Sequence, residues 1–476
     1  MKLSELMIRP WLGLSARFLP FADAATEDLP LPRLLRLALF QVSVGMALAL
    51  LNGTLNRVMI VELSAPAWLV SAMVSLPIVF APLRALIGFR SDNHRSALGW
   101  KRVPYLWIGT VLQFGGLAIM PFALIVLSGD THGPVWIGHA AAAVAFLLIG
   151  AGMHTTQTAG LALATDLAPR ETRPRVVALL YVMLLLGIVA SALAFGLLLA
   201  EFSERRLIGV IQGAALLTVG LNVAALWKQE ARNPARAAEG PPGSSFRVAW
   251  KALSSHPRTL RLLATVGLGT AAFAMQDILL EPYGGEIMHL SVGSTTLLTA
   301  LMSGGALVAF GITGRGLSHG SDPLRLAASG VLVGIAAFVA ILFAAPFASP
   351  ALLRAGATGV GFGGGMFSVG CLTAAMALAD RFEGGLVLGA WGAVQATATG
   401  LAVGLGGAVR DGVTALARHG TLGLAMTDPA SGYAVVYQFE IILLFATLVA
   451  LGPLVGSRRR VEAHAVERFG LAEFPG

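Results

Sequence analysis

Twelve long apolar runs dominate the sequence and constrain its fold more than any other feature. About 20 apolar residues in a helix cross the hydrocarbon core of a bilayer. The composition agrees, because 56% of the residues are hydrophobic and 12% are charged, against about 25% charge in soluble domains. The sequence therefore predicts an all-α membrane protein with twelve transmembrane helices. We place the spans at 35–61, 66–88, 103–127, 135–164, 175–200, 207–227, 260–281, 292–313, 324–345, 350–379, 386–409 and 433–455.

The lysine and arginine residues predict the orientation of these spans. Of 33 such residues, 27 fall on the side that holds both termini. The positive-inside rule therefore predicts that both termini are cytoplasmic. The net charge of +8 follows from this topology, and no soluble basic domain is present that would bind nucleic acid.

The longest internal joint, residues 228–257, is rich in proline, glycine, serine and charge, and so indicates a cytoplasmic linker between two six-helix halves. A loose internal repeat supports the duplication: VGMALALLNGTLNR in the first span aligns with LGTAAFAMQDILLE in the seventh. The leader either lies at the membrane interface or is poorly ordered, and no cleavable signal peptide is expected. The predicted units are a leader at 1–34, halves at 35–227 and 258–456, the linker, and a tail at 457–476.

The sequence gives little sign of soluble-enzyme chemistry. The chain has one cysteine, Cys371, and no Walker loop or HExxH motif. We therefore expect no enzymatic activity, no metal site formed by protein side chains alone and no intramolecular disulfide.

Two charged joints on the predicted cytoplasmic side carry a recognisable pattern. GFRSDNHRSALGWKR places Asp92 four residues after a glycine, followed by Arg95, Lys101 and Arg102. DLAPRETR supplies Asp166 and Arg173 in a D-x-x-P-x-x-x-R pattern. Both resemble signature loops of the major facilitator superfamily, in which the aspartate holds the positive end of a helix in one access state. The alternative is that these charges only orient the helices.

The joint after the eighth span bears on gating. Its sequence, GITGRGLSHG, has Arg315 where the superfamily pattern has an acid. The resemblance therefore implies the superfamily fold without implying its usual gating cycle.

A closer resemblance rests on GTLNRVMIVEL, GFRSDNHRSALGWKRVPYLWIGT and ATDLAPRETRPRVVALLYVM. These segments resemble the PucC/LhaA (bacteriochlorophyll delivery) family, and the leader resembles the LhaA branch. The resemblance implies an assembly factor for light-harvesting antennae, in particular the core antenna, in the bacterial cytoplasmic (intracytoplasmic) membrane. It implies bacteriochlorophyll a as bound or carried ligand, and as partners the antenna polypeptides, the reaction-centre core complex and bacteriochlorophyll synthase. The alternatives are a proton-coupled small-solute transporter and a membrane enzyme.

A pigment site needs apolar walls, close backbone approach and an axial ligand for magnesium. His154 is the histidine deepest in a predicted span, so it is our candidate ligand, although neighbouring threonine residues also offer it hydrogen bonds. Gly363 in the tenth span and Gly404 in the eleventh are candidates for a pigment or partner-helix groove on an outer face. The alternative for both glycines is ordinary close helix packing.

Charges inside the predicted spans indicate a third candidate site. Arg57, Asp277 and Glu281 lie at similar depth in the first and seventh spans, which are symmetry mates in the superfamily fold. We predict that Arg57 pairs with Asp277 or Glu281 and closes the non-cytoplasmic side. The alternative is that each charge extends separately to the interface.

Overall fold

The computed structural model describes residues 29–79, 100, 102–128, 134–169, 172–230, 257–379, 384–419 and 428–455. In these ranges the chain forms twelve helices and no strand. Eleven helices are long and apolar enough to cross a membrane, and the second is a shorter apolar helix whose predicted continuation lies outside the described residues. This confirms the predicted all-α membrane fold.

We label the helices in chain order: α1 Leu31–Glu62, α2 Ala67–Val79, α3 Val103–Leu127, α4 Val135–Leu167, α5 Arg173–Leu198, α6 Glu204–Leu226, α7 Pro257–Glu286, α8 Val292–Ser318, α9 Pro323–Ala344, α10 Pro350–Ala379, α11 Gly384–Arg418 and α12 Ser431–Leu451.

Local sequence explains where several helices begin. The Ser203 hydroxyl accepts a hydrogen bond from the Arg206 N–H at the start of α6. At the start of α9 the Asp322 carboxylate accepts from the Leu324 N–H at 2.8 Å, and Pro323 occupies the first helical position. These side chains satisfy N–H groups that have no partner within the helix, and proline there loses no hydrogen bond.

The C-terminal ends of the odd-numbered helices lie at one end of the bundle. We call it the Arg57 end, because Arg57 lies near the end of α1, and we call the opposite end the Arg102 end. Contacts between the halves confirm the arrangement, since the Trp68 N–H at the start of α2 donates to Asp411 on α11 at 2.8 Å.

Glycine lets neighbouring helices approach closely. A Cβ on Gly109 of α3 would lie 2.8 Å from the Gly152 carbonyl oxygen of α4. Between the halves, a Cβ on Gly406 of α11 would lie 2.7 Å from the Met275 carbonyl oxygen of α7. Such backbone contact replaces lipid contact in membrane bundles.

The first helix of each half departs from α-helical geometry. In α1 the segments Ala49–Leu55 and Val58–Glu62 are π-helical, and in α7 the segment Met275–Ile278 is a 3₁₀ turn. The internal repeat aligns the 3₁₀ turn with residues 51–54, inside the first π segment. Both breaks face the interface between halves, where broken helices of transporter folds place polar groups. The predicted domain boundaries stay predictions, because most of the 228–257 joint lies outside the described residues.

Candidate functional site

Arg102 organises the charged contacts at the Arg102 end. Its side chain is buried and donates from Nε to the Asp166 carboxylate of α4 at 3.0 Å. The Glu230 carboxylate, which follows α6, accepts from the backbone N–H groups of Arg102 and Val103 at 3.0 to 3.2 Å. An acidic group at the start of α3 also complements the positive end of the helix dipole. The structure thus joins α3, α4 and the end of α6 through two of the predicted residues.

Four other residues were expected in this network. Asp92, Arg95 and Lys101 lie outside the described residues. Arg173 is the first residue of α5, and its side chain lies outside the described part of the structure. Their predicted gating roles stay predictions.

Arg57 forms its ion pair with Glu62, five residues further along α1. It also donates to the Leu290 carbonyl between α7 and α8, at 3.2 Å. The predicted ion pair with Asp277 or Glu281 is therefore wrong. Residues five apart in an α-helix are separated by about 140° around the axis, whereas the i→i+5 bonds of the π-helix bring them close to one face. The π segment at the end of α1 thus supplies Arg57 with a local partner.

Glu281 nevertheless lies within the electrostatic influence of Arg57. It is buried, and its carboxylate accepts hydrogen bonds from the hydroxyls of Thr299 at 2.5 Å and Thr296 at 3.5 Å. Gly53 of α1 packs directly on this carboxylate, because a Cβ there would lie 2.5 Å from Glu281 Oε1. The interface between α1, α7 and α8 therefore contains a carboxylate solvated by hydroxyl groups.

Two further carboxylates lie at the 3₁₀ turn of α7. Asp277 accepts from the Gln276 amide nitrogen at 2.6 Å. Glu440 of α12 is fully buried, and its Oε1 accepts from the Gln276 backbone N–H at 2.7 Å. Sequence reasoning missed Glu440, although an acid inside the predicted span 433–455 was a usable signal.

Arg410 of α11 organises a larger network at the Arg57 end. Its guanidinium binds the carboxylates of Glu286 on α7 and Asp411 on α11. The Tyr433 hydroxyl of α12 donates to Glu286 at 2.6 Å, and the Arg410 guanidinium carbon lies 4.7 Å from the centre of the Tyr433 ring. Asp411 uses its second oxygen to accept from the backbone N–H of Trp68. The network ties α2 of the first half to α7, α11 and α12 of the second.

Sequence reasoning missed this network as well. The sequence predicts that the eleventh span ends at residue 409, which leaves Arg410 and Asp411 in the following joint, whereas α11 continues to Arg418. An Arg-Asp pair at the end of an apolar run gives no sign of its partners, because Glu286 and Tyr433 are distant in sequence.

A cleft of about 780 Å³ opens beside the Arg410 network. Its walls come from the end of α1, the turn into α2, and one face of α11. Trp68 and Arg418 are exposed at its mouth, and the charged residues Glu286, Arg410 and Asp411 line its interior. The cleft thus combines apolar walls with charges of both signs.

His154, the candidate pigment ligand, is half-buried on α4. The face of α4 that packs on α3 contains Gly152 and Thr156, each two positions from His154. A step of two helical residues turns roughly 200°, so His154 faces away from α3. Its carbonyl accepts from the Thr158 hydroxyl at 2.7 Å. Magnesium ligation by its imidazole stays a prediction.

Both candidate glycines face a neighbouring helix, but Gly363 is buried whereas Gly404 is half-buried. A Cβ on Gly363 would lie 2.5 Å from the Gly330 carbonyl oxygen of α9, and 2.9 Å from the Gly334 nitrogen. A Cβ on Gly404 would lie 3.3 Å from the Ser75 hydroxyl oxygen of α2. The expectation of an outer groove is therefore wrong for Gly363, which close helix packing explains, and it stays a prediction for the half-buried Gly404.

Comparison with known proteins identifies the family. The model of the family described as "PUCC protein" matches residues 54–459. Protein PucC of Rhodovulum sulfidophilum is 57% identical over 418 residues, which cover 87% of this chain and 92% of that protein. The chain belongs to the PucC family. A Rhodobacter capsulatus relative described as "Uncharacterized protein in puhA-bchM intergenic region" is 58% identical over 476 residues, covering 99% of this chain and all of the relative.

Solved structures confirm that this PucC-family chain has the major facilitator superfamily fold. The nucleoside transporter NupG is 15% identical, with a TM-score of 0.63 over 88% of this chain and 98% of NupG. A bacterial homologue of the human lysosomal transporter Spinster, in an inward-facing, occupied conformation, gives 14% identity and a TM-score of 0.64. That match covers 88% of this chain and 95% of the homologue. The protein is therefore a multi-pass membrane protein.

The family match includes every candidate residue described above, from Arg57 to Glu440. In the part of the chain that the structure describes, no group of three or more histidine, cysteine, aspartate or glutamate residues is placed to hold a metal ion. A magnesium ion carried by a pigment would instead need a single axial ligand, such as an imidazole.

Proposed function

We propose that this PucC-family protein is a non-enzymatic assembly factor for photosynthetic antenna complexes. The observation that carries the proposal is its 49–58% identity to PucC proteins and their relatives over most of the chain. The finer proposal is that it serves the core antenna around the reaction centre. Its partners would be antenna polypeptides, the reaction-centre core complex and bacteriochlorophyll synthase, and its cargo bacteriochlorophyll a.

The test of this role is to delete the gene in its phototrophic host and to purify the tagged protein from the same host. We expect the deletion to reduce core-antenna absorption, and the purified protein to show a bacteriochlorophyll band and to retain antenna or reaction-centre polypeptides. Unchanged antenna absorption in the deletion strain would contradict the proposal.

His154 is the residue we propose as axial ligand for the pigment magnesium. Its half-buried imidazole on a membrane-spanning helix supplies the donor that magnesium needs. Replacing His154 with alanine should lower the bacteriochlorophyll absorbance per protein at least about tenfold, which corresponds to 1.4 kcal/mol. His139→Ala is the matched control, because His139 is also half-buried and lies on the same helix. Equal pigment content in both variants would exclude His154.

We also propose that the protein lies in the bacterial cytoplasmic (intracytoplasmic) membrane with the Arg102 end and both termini on the cytoplasmic side. Cys371 is buried, so cysteines introduced at exposed positions can report topology. A membrane-impermeant maleimide should label Arg205→Cys in intact spheroplasts. It should label Lys228→Cys only after permeabilisation, because the two residues lie at opposite ends of α6. The reverse pattern would contradict the positive-inside assignment.

A proton-coupled small-solute transporter is the alternative function. The buried carboxylates of Glu281 and Glu440 favour it, because ionisable groups inside membranes often mark proton pathways. Such a carrier should take up solute into proteoliposomes when a pH gradient is applied, and replacing Glu281 with glutamine should abolish uptake.

A further inference from the structure

The cleft beside Arg410 has free hydrogen-bonding groups of opposite charge. Glu286 gives Oε2 to Arg410 and Tyr433, but its Oε1 has no hydrogen bond to any described residue, and a third of its side chain is exposed. Arg418, at the mouth, forms no ion pair or hydrogen bond with the described chain and is exposed. The cleft therefore offers one free acceptor inside and one free cation at its mouth.

The charges nearest the interior sum to a negative value. Arg410 is opposed by two carboxylates, those of Glu286 and Asp411. Arg418 lies eight residues after Arg410, or about 12 Å along the helix. Helical side chains lean toward the helix N-terminus, so the Arg418 side chain leans over Thr414 toward the network. A ligand that carries both a cationic and an anionic group complements this arrangement.

The walls of the cleft add an apolar requirement. Ile60 and Val61 of α1, Pro66 of the turn and Trp68 of α2 line the cleft. Trp68 is 51% exposed at the start of α2, a position typical of the aromatic belt at the membrane interface. The volume of about 780 Å³ lies within the roughly 300–1,000 Å³ of small-molecule sites. A soluble zwitterion would leave these apolar walls uncovered.

We propose that this cleft binds a phospholipid with an ethanolamine headgroup. The ammonium group donates to Glu286 Oε1, and the phosphate accepts from the Arg418 guanidinium, as charge-assisted hydrogen bonds. The start of the acyl chains covers Val61 and Trp68. A choline headgroup has no N–H donor for Glu286, and a headgroup with only negative charge is repelled by the surplus carboxylate. The inference is independent of the proposed role in antenna assembly.

The experiment uses the full-length protein in nanodiscs that contain equal amounts of ethanolamine, choline and glycerol phospholipids. After release into detergent, native mass spectrometry measures which lipids the protein retains. We expect ethanolamine lipid to exceed choline lipid at least about tenfold on the unmodified protein. Arg418→Gln should retain less of either lipid, because it loses the contact with the phosphate. Arg205→Gln should retain as much lipid as the unmodified protein, because Arg205 is exposed at the same end of the molecule but outside the cleft.

A second variant and its matched control test the apolar wall of the cleft. Trp68→Leu should weaken lipid retention, whereas Trp136→Leu should not, because Trp136 is exposed at the same end but lies outside the cleft. Retention by Arg418→Gln equal to that by Arg205→Gln would overturn the site. Equal retention of glycerol and ethanolamine lipids would contradict the proposed preference for an ethanolamine headgroup. Thermal unfolding compares soluble glycerophosphoethanolamine with a short-chain ethanolamine lipid. If both stabilise the protein equally, the ligand is a soluble zwitterion and the lipid proposal is wrong.

Discussion

At the scale of single residues, the Arg410 network should contribute more to stability than any exposed ion pair. Replacing Arg410 with methionine leaves the Glu286 and Asp411 carboxylates unneutralised in a largely buried site. Removing one partner of a buried pair costs about 3–5 kcal/mol. Arg206→Met is the control, because the Arg206–Glu201 pair lies at the same end and is half or more exposed. Such a pair contributes about 0–1 kcal/mol. Thermal unfolding in detergent should therefore separate the two variants clearly, and equal melting temperatures would contradict the assignment.

The residues themselves show what the sequence could not predict. Arg57 and Glu281 were recognised as functional candidates because charge within an apolar run is rare. Their partners depend on backbone geometry, since a π segment presents Glu62 to Arg57, and no sequence pattern marked that segment. The contact between Arg102 and Asp166 follows two recognisable motifs. Motif residues were thus predictable, whereas ion pairs that depend on helix irregularity were not.

At the scale of helices, close packing between α9 and α10 makes a specific prediction for Gly363. Leucine at this position has no room, because its Cβ would lie 2.5 Å from the Gly330 carbonyl oxygen. Overpacking typically costs about 1–3 kcal/mol, and here the obstructing atom is backbone. We expect Gly363→Leu to reduce the amount of folded protein in the membrane, measured by size-exclusion chromatography of a fluorescent fusion.

The control for this substitution is Gly220→Leu on α6. Gly220 is exposed, and a Cβ there would meet nothing within 4 Å. Leucine also gains up to about 1 kcal/mol of helix propensity over glycine, so this variant should accumulate normally. Normal accumulation of Gly363→Leu together with loss of antenna would restore the outer-groove interpretation.

Helix positions were predicted well because hydropathy alone decides which segments enter the bilayer. The predicted span 103–127 coincides with α3. Among the helix ends that the structure describes, the largest error lies at α11, which is predicted to end at residue 409 and ends at Arg418. Arg410 and Asp411 ended the apolar run in the sequence, but in the structure Glu286 and Asp411 neutralise Arg410, so the helix continues. Hydropathy therefore fails to predict a helical segment whose charges are neutralised by tertiary contacts.

At the scale of the whole molecule, α2 and α11 bring the two halves together, and a cross-link there distinguishes the two candidate functions. A Cβ on Gly404 would lie 3.9 Å from the Ser75 Cβ, within the roughly 3.5–4.5 Å of disulfides. The double variant Ser75→Cys, Gly404→Cys should therefore cross-link on mild oxidation. A protease site inserted within residues 231–256 would show this, because the cleaved halves should migrate together on a non-reducing gel and separately after reduction.

The effect of this cross-link on function depends on whether α2 and α11 must separate at the Arg57 end of the molecule. A transporter that alternates between access states has to separate its halves here once in every cycle, so a disulfide between α2 and α11 should stop solute uptake. An assembly factor that meets single-span antenna polypeptides through the lipid works from its outer faces and can remain closed. We therefore expect cells with the cross-linked protein to reach the core-antenna absorption of cells with either single-cysteine variant. Loss of antenna that is reversed by a reductant would instead show that assembly itself requires opening at the Arg57 end.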